Sequence, residues 1–308
     1  MSTYTSEPGT RLAGRYRLVD QANAGAGWTY WKATDETLAR SVTVLTFATG
    51  FPRVAETVTA ARAASRLGDP RFSQVFDVED ADGLAYVVLE WVVGESLLDM
   101  LSEGPLDPPR AALMMTEAAR AIATAHNTGL AHLRLDPACL HWTPGGGVKI
   151  AGLCIDAALA GPDLTAAEDG ADDPELTDTR DLARLLYAAL TGYWPGHRTS
   201  AGAAPGLLPP APENDGGPCT PRQVSAGVPA GIDDVTCRAL FQRPNRHGPA
   251  LSTATMFADA LTSAAPPMPP PAAAATLSDP TATRGYGYQP DGSVRPYPPG
   301  TSPRTTTL

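Results

Sequence analysis

The sequence predicts an α+β fold in two parts, a small β-rich lobe followed by a larger helical lobe. Between residues 15 and 92, short β-branched runs alternate with turn residues, which favours antiparallel strands around one helix. After residue 92 most apolar residues recur at helical spacing, as in "DTRDLARLLYAALTG". The last 46 residues, 263–308, are rich in Pro, Ala, Gly and Thr and lack apolar periodicity, which predicts a disordered C-terminal tail.

These patterns divide the chain into three segments. Residues 1–13 are polar and are expected to be flexible. Residues 14–262 form one predicted domain, with the N-lobe at about 14–92 and the C-lobe at about 93–262. The tail begins where helical periodicity stops, at "SAAPPMPPP".

Composition excludes several classes of function. The net charge is −10 and the pI is near 4.9, which argues against nucleic acid and anionic membrane as partners. No run of about 18 apolar residues and no apolar signal core is visible, so we expect a cytoplasmic protein without direct membrane insertion. The cysteines show no metal-ligand or disulfide spacing and are expected to be reduced: Cys139, Cys154, Cys219 and Cys237.

Four stretches carry a resemblance, and they occur in the expected order along the chain. They are "YRLVDQANAGAGWTYWKATD", "GLAYVVLEWVVGESLLDML", "AHNTGLAHLRLDPACLHWTPGGGVKIAG" and "DTRDLARLLYAALTGYWPG". Together they resemble the protein kinase fold of actinobacterial serine/threonine kinases and their pseudokinase relatives. The resemblance implies a two-lobed kinase-like domain with a hinge at Glu90, Trp91 and Val92.

Phosphoryl transfer needs phosphate neutralisation, metal coordination and an oriented hydroxyl, and the family supplies these groups at fixed positions. The resemblance places Leu45 at the position of the strand lysine and Ala60 at that of its glutamate partner. Only Lys32 and Lys149 are lysines, and neither stands in an obvious replacement position. The remaining degenerate positions are Arg134 for the base aspartate, Asp136 for the lysine, Cys139 for the asparagine and Gly152 for the DFG aspartate.

The glycine loop also departs from the G-x-G-x-x-G pattern. Its three glycine positions hold Asn23, Gly25 and Trp28, and using Gly27 instead would shift the following strand out of register. An indole at the third position would occupy space that phosphate needs. We therefore interpret the segment as a tight hairpin turn with a packed tryptophan rather than as a nucleotide cradle.

Displaced groups leave an alternative open. Asp136 and Asp156 lie two to four residues from the required positions and could hold a cation, although an Arg134–Asp136 contact or an exposed loop carboxylate is the more ordinary interpretation. Glu56 lies one helical turn before Ala60 and is interpreted as solvated. Cys139 and Cys154 are interpreted as small apolar fillers rather than as a redox pair or metal ligands.

Other matched positions are expected to hold the C-lobe together. His132 matches a buried structural histidine, and Asp178 matches the buried aspartate that binds the backbone of the catalytic loop. Arg246 matches a late arginine whose family partner is a glutamate, for which Glu175 is the candidate.

The sequence thus predicts a catalytically inactive kinase-like protein, not an enzyme, that binds a protein partner as a regulatory or scaffold module, with no cofactor and no metal. The alternative is an atypical ATP-dependent serine/threonine kinase that uses displaced residues, and a weaker third interpretation is a small-molecule sensor. The chain also resembles a pseudokinase that is linked to the lipid II flippase. This resemblance implies a role in cell-wall synthesis and a phosphothreonine-dependent forkhead-associated domain as partner. The candidate phosphosites are Thr281, Thr283, Thr301, Thr305, Thr306 and Thr307.

Overall fold

The computed structural model describes residues 7–81, 84–161, 173–196, 208–214, 217–264, 286–288 and 294–296. Residues 1–266 form one compact unit, and residues 267–308 form a second. In the second unit, the described residues form a short antiparallel hairpin of β12 (Tyr286–Tyr288) and β13 (Val294–Pro296). The disordered tail stays a prediction for the residues outside the described part of the chain.

The N-lobe contains a six-stranded antiparallel sheet and one helix. The spatial order of the strands is β1-β2-β3-β4-β6-β5, and the connection from β4 to β5 contains the helix α1. The elements are β1 (Arg11–Leu12), β2 (Tyr16–Gly25), β3 (Trp28–Asp35), β4 (Arg40–Phe47), α1 (Val54–Ala64), β5 (Val75–Ala81) and β6 (Leu84–Glu90).

The two faces of this sheet bury different clusters, because successive side chains on a strand point to opposite faces. Trp31 and Ala33 of β3 belong to a cluster that stays within the N-lobe. Leu45 of β4 belongs to the other cluster, which also contains Ile155 and Leu159 from the C-lobe. The second face is therefore the one that covers the cleft between the lobes.

The C-lobe is built around two long helices, α3 and α5, whose apolar faces form the largest core cluster. Both helices start with an aspartate cap followed by a proline, Asp107–Pro108 and Asp173–Pro174, which satisfies otherwise unpaired N–H groups. The elements are β7 (Glu95–Ser96), α2 (Leu97–Glu103), α3 (Pro108–His126), β8 (Leu140–Trp142), β9 (Val148–Ile150), α4 (Ile155–Ala160), α5 (Pro174–Thr191), β10 (Glu213–Asn214), β11 (Gly217–Pro218), α6 (Pro221–Val224), α7 (Ala230–Leu240) and α8 (Ala254–Ala264).

The observed architecture agrees with the predicted α+β fold of a small β-rich lobe and a larger helical lobe. The helix α8 ends at Ala264, two residues beyond the predicted end of the domain. The segment that follows the N-lobe contains β7, which forms a small antiparallel sheet with β8 and β9. Among the helices of the described ranges, none is both long and apolar enough to cross a membrane.

Candidate active site

The loop after α3 is fixed to α5 by one buried carboxylate. Asp178 is fully buried, and its Oδ1 accepts a hydrogen bond from the Leu133 N–H at 2.6 Å. Its Oδ2 accepts from the His132 N–H at 2.8 Å and lies 2.8 Å from Nε2 of His126. Leu133 has a left-handed backbone, with φ of 62°, so these bonds hold a conformation that non-glycine residues rarely adopt. Asp178 therefore binds the backbone of this loop, and His132 within it is fully buried.

The middle of this loop is a turn closed by Asp136. Its Oδ1 accepts hydrogen bonds from the N–H groups of Ala138 at 2.8 Å and Cys139 at 2.9 Å. Oδ2 accepts no hydrogen bond from any described residue. Burial raises the pKa of the Cys139 thiol well above its ordinary value, so the thiol stays protonated and donates to the Asp136 carbonyl at 3.1 Å. Of the two ordinary interpretations of Asp136, an Arg134 contact or an exposed loop carboxylate, the described hydrogen bonds include no Arg134 contact, and the side chain binds backbone N–H groups of its own turn.

The position that matches the DFG aspartate is Gly152, and a carboxylate from the following helix occupies its side-chain space. A Cβ atom at Gly152 would collide with Oδ2 of Asp156. Asp156 lies in the first turn of α4, and its N–H donates to the Gly152 carbonyl at 3.1 Å. The chain therefore brings a carboxylate to the DFG position from four residues further on.

Tyr30 of β3 holds this carboxylate from the N-lobe. Its hydroxyl donates to Oδ1 of Asp156 at 2.7 Å. Burial raises the pKa of Tyr30 well above its ordinary value, so the hydroxyl remains a donor at neutral pH. Burial also raises the pKa of Asp156, and the charge of Asp136 adds to this shift, whereas the Tyr30 hydrogen bond and the Arg134 charge lower it.

The face of the N-lobe sheet that covers the cleft, here called the roof, carries Leu45 where the family has a lysine. It also carries Lys32, on the neighbouring strand β3. Leu45 is fully buried in the apolar cluster of the cleft face, opposite Tyr30 in the strand register. Because Lys32 is two residues from Tyr30 on β3, it points to the same face. Its Nζ lies 5.1 Å from the centre of the Trp91 ring, which is a cation–π distance.

Trp91 belongs to the predicted hinge, which follows β6 directly. Glu90, the last residue of β6, forms an ion pair with Lys149 at 2.7 Å. Lys149 also donates to the Pro70 carbonyl at 2.8 Å, so this lysine is engaged away from the cleft roof. Val92, the third hinge residue, is partly buried, and the next residue along the chain, Val93, is exposed.

The predicted glycine loop is a hairpin between β2 and β3. Gly25 pairs with Trp28 across the turn, and the indole lies so close to Gly25 that any Cβ atom there would collide with it. Trp28 also contacts Tyr30 edge to face, with ring centres 5.5 Å apart. Asn23 pairs with Tyr30 in the register. The geometry is that of the tight hairpin with a packed tryptophan.

The predicted glutamate–arginine pairing is wrong for the residues named. Arg246 is exposed and its Nε donates to Nε2 of His247 at 2.9 Å, while Glu175 is exposed in the first turn of α5. Between these two residues the structure contains no ion pair. On α1, Ala60 is partly buried and Glu56 is exposed, as expected for a solvated glutamate. The candidate phosphosites and residues 162–172 lie outside the described residues.

Sequence reasoning missed Tyr30 as a cleft residue and considered Lys32 only as a lysine outside the replacement position. Strand alternation could have placed both on the same face of β3, because the typical core residues Trp31 and Ala33 occupy the alternate positions. Their partners, Asp156 and Trp91, are 126 and 59 residues away in sequence, and no local signal connects them.

No protein-family model matches the chain. Similarity to curated proteins is nevertheless clear. The serine/threonine-protein kinase PknH of Mycobacterium tuberculosis is 28% identical over 201 residues, which are 60% of this chain and 31% of the relative. PrkC of Bacillus subtilis is 27% identical over 63% of this chain and 33% of the relative, and PknA of M. tuberculosis is 30% identical over 61% and 49%. The chain thus spans about a third to a half of these relatives.

Solved structures agree with the fold. The M. tuberculosis PknI kinase domain matches with a TM-score of 0.63 and 20% identity, covering 85% of this chain and all of that domain. Rad53 residues 1–466, in complex with AMP-PNP, match with a TM-score of 0.58 and 19% identity, covering 80% and 64%. At these identities the matches establish the protein kinase fold.

The prediction that the chain is not an enzyme is contradicted. Its relatives at 27–30% identity are named serine/threonine-protein kinases, and its fold is that of kinase domains. The carboxylate of Asp156, one of the two displaced groups that leave the alternative open, occupies the side-chain space of Gly152. The chain is a protein kinase-like domain with sequence similarity to bacterial serine/threonine kinases.

Proposed function

We propose that the chain is an atypical ATP-dependent serine/threonine kinase that uses displaced residues. The observation that supports this best is the carboxylate of Asp156, which fills the side-chain space of Gly152 at the DFG position. Active kinases use a carboxylate there to bind the magnesium ion of the nucleotide. The names of the sequence relatives support the same class of reaction.

The donor set fits a magnesium ion that arrives with ATP. Mg²⁺ is usually bound by one or two carboxylates together with substrate phosphates, rather than by a complete protein cage. Asp156 would hold it through Oδ2, because Oδ1 accepts from Tyr30 and Oδ2 accepts no hydrogen bond from any described residue. When bound, the ion would neutralise phosphate charge.

Asp136 is the candidate for orienting the substrate hydroxyl. Its Oδ1 is engaged by two backbone N–H groups, which fixes the carboxylate in one orientation. Its Oδ2 is the acceptor that remains for a serine or threonine hydroxyl. Arg134 cannot serve as a base, since a guanidinium stays protonated in proteins.

Two cations are available to compensate the charge of the triphosphate. The charge of Arg134 lowers the pKa of the Asp156 carboxylate. Lys32 lies on the roof beside Trp91 of the hinge. Both differ in position from the family lysine, whose place is taken by Leu45. The phosphothreonine-dependent partner and the link to cell-wall synthesis stay predictions.

Nucleotide binding is the first measurable consequence. At a concentration 100 times the Kd, ATP with Mg²⁺ stabilises a protein by about 2.7 kcal/mol, which corresponds to roughly 5–10 °C in Tm for a domain of this size. We expect such a shift for the wild type in thermal unfolding, and a much smaller magnesium-dependent part for Asp156→Asn.

Asp80→Asn is the matched control, because Asp80 is an exposed aspartate of β5 on the N-lobe. This variant should respond to Mg²⁺ and ATP like the wild type. A Tm that does not change with nucleotide, or an equal magnesium dependence in Asp156→Asn, would count against the proposal.

A further inference from the structure

The helix α4 joins the two lobes through apolar contacts. Ile155 and Leu159 are one helical turn apart, so they lie on the same face of α4, and both are buried. They share an apolar cluster with Leu45 of β4 and Ala61 of α1, both in the N-lobe. The segment directly after the DFG position is therefore part of the N-lobe core.

Contacts with N-lobe residues are present at both ends of α4. At its start, the Tyr30 hydroxyl donates to Asp156 at 2.7 Å. At its end, Gly161 lies directly against the guanidinium of Arg53, and any side chain at this glycine would collide with that group. Gly161 also has a φ of 80°, so the chain leaves α4 through a conformation that suits glycine.

The chain enters α4 through an unfavourable backbone conformation. Cys154, its N-cap residue, has a φ of 61°, and its side chain makes no cap hydrogen bond. A left-handed conformation at a non-glycine residue persists only where surrounding contacts stabilise it. Because the helix itself has only six residues, tertiary contacts provide that stabilisation. The Cys154 Sγ donates to the Ala131 carbonyl at 3.2 Å, and Ile155 and Leu159 pack against the N-lobe.

From this arrangement we infer that α4 is a latch between the lobes and that Tyr30 is the residue that keeps it closed. In the latched state Tyr30 occupies one oxygen of Asp156, so release of this hydrogen bond would free the carboxylate for a cation. That last step rests on the proposed function, whereas the latch itself does not.

Hydrogen exchange of the full chain, read by mass spectrometry on peptides that cover α4, tests the latch. Loss of a hydrogen bond to a charged group raises the population of locally open states by about tenfold or more. Tyr30→Phe should therefore increase the exchange rate of the α4 amides by about tenfold while the core of α5 stays protected.

Tyr16→Phe is the matched control. Tyr16 is a buried tyrosine of β2 whose hydroxyl donates to Asp77 at 2.9 Å, but both residues lie in the N-lobe. It should leave exchange in α4 unchanged. A rate in Tyr30→Phe equal to that of the wild type, or an equal increase in both variants, would overturn the latch.

Magnesium and ATP separate the latch from the proposed function. If the latch releases Asp156 to a cation, both ligands together should raise α4 exchange in the wild type and have less effect in Asp156→Asn. Faster exchange in Tyr30→Phe without any effect of Mg²⁺ and ATP would support the latch and count against the proposed function alone.

Discussion

Replacing Asp178 with alanine should lower the free energy of unfolding by about 3–5 kcal/mol, since it leaves several buried donors unsatisfied. The carboxylate accepts from the N–H groups of His132 and Leu133 and lies next to His126. Each buried N–H without a partner costs about 1–3 kcal/mol. Water cannot replace the carboxylate at the His132 N–H, because His132 is fully buried. Urea denaturation followed by circular dichroism measures the change.

The control for this variant is Glu175→Gln on the same helix. Glu175 is exposed and its side chain takes no part in the loop contacts, so the variant should change stability by less than about 0.5 kcal/mol. A loss below 1 kcal/mol in Asp178→Ala would mean that the loop is not fixed by this residue.

Leu45→Lys should destabilise the protein rather than restore a family lysine. Leu45 is fully buried among apolar residues that include Ile155 and Leu159. An ammonium group there would lose hydration without gaining the glutamate partner of the family, because Ala60 stands at the partner position and Glu56 is exposed. Burial of a charged or neutralised lysine of this kind costs at least about 3 kcal/mol.

The volume-conserving variant Leu45→Met should cost less than about 1.5 kcal/mol. Because burial lowers the pKa of a lysine, the folded Leu45→Lys protein would bind fewer protons than the unfolded chain, and its stability should rise with pH. Chemical denaturation at pH 7 and at pH 9.5 measures both effects. A stability equal to wild type at pH 7 would show that the cleft roof accommodates a cation at this position.

Local patterns were sufficient to predict the two lobes. Helical periodicity in "DTRDLARLLYAALTG" marks α5. The first residue of this stretch is Asp178, and its family position implies the contact with the loop. The prediction for Leu45 as an apolar replacement also follows from the strand pattern of β4. The lobes depend on residues close in sequence, whereas the contact of Asp178 with the loop joins residues 45 and 46 positions apart and was implied by the resemblance alone.

Features that depend on backbone conformation and distant partners could not be predicted. Asp156 reaches the Gly152 position only because the chain turns through a left-handed glycine, with φ of 81°, into a short helix. Arg246 lies on a loop beside His247, and sequence matching alone paired it with Glu175. In both cases residue counting gave the family position but not the direction of the side chain.

The central claim is tested most directly by transfer of labelled phosphate from [γ-³²P]ATP, catalysed by the wild-type chain with a protein substrate, with and without Mg²⁺. The account predicts incorporation that requires Mg²⁺ and falls at least about 100-fold in Asp156→Asn, a loss of transition-state stabilisation of about 2.7 kcal/mol. Asp80→Asn should retain the wild-type rate. Incorporation by the wild type no greater than in the absence of protein, or equal incorporation by Asp156→Asn, would contradict it.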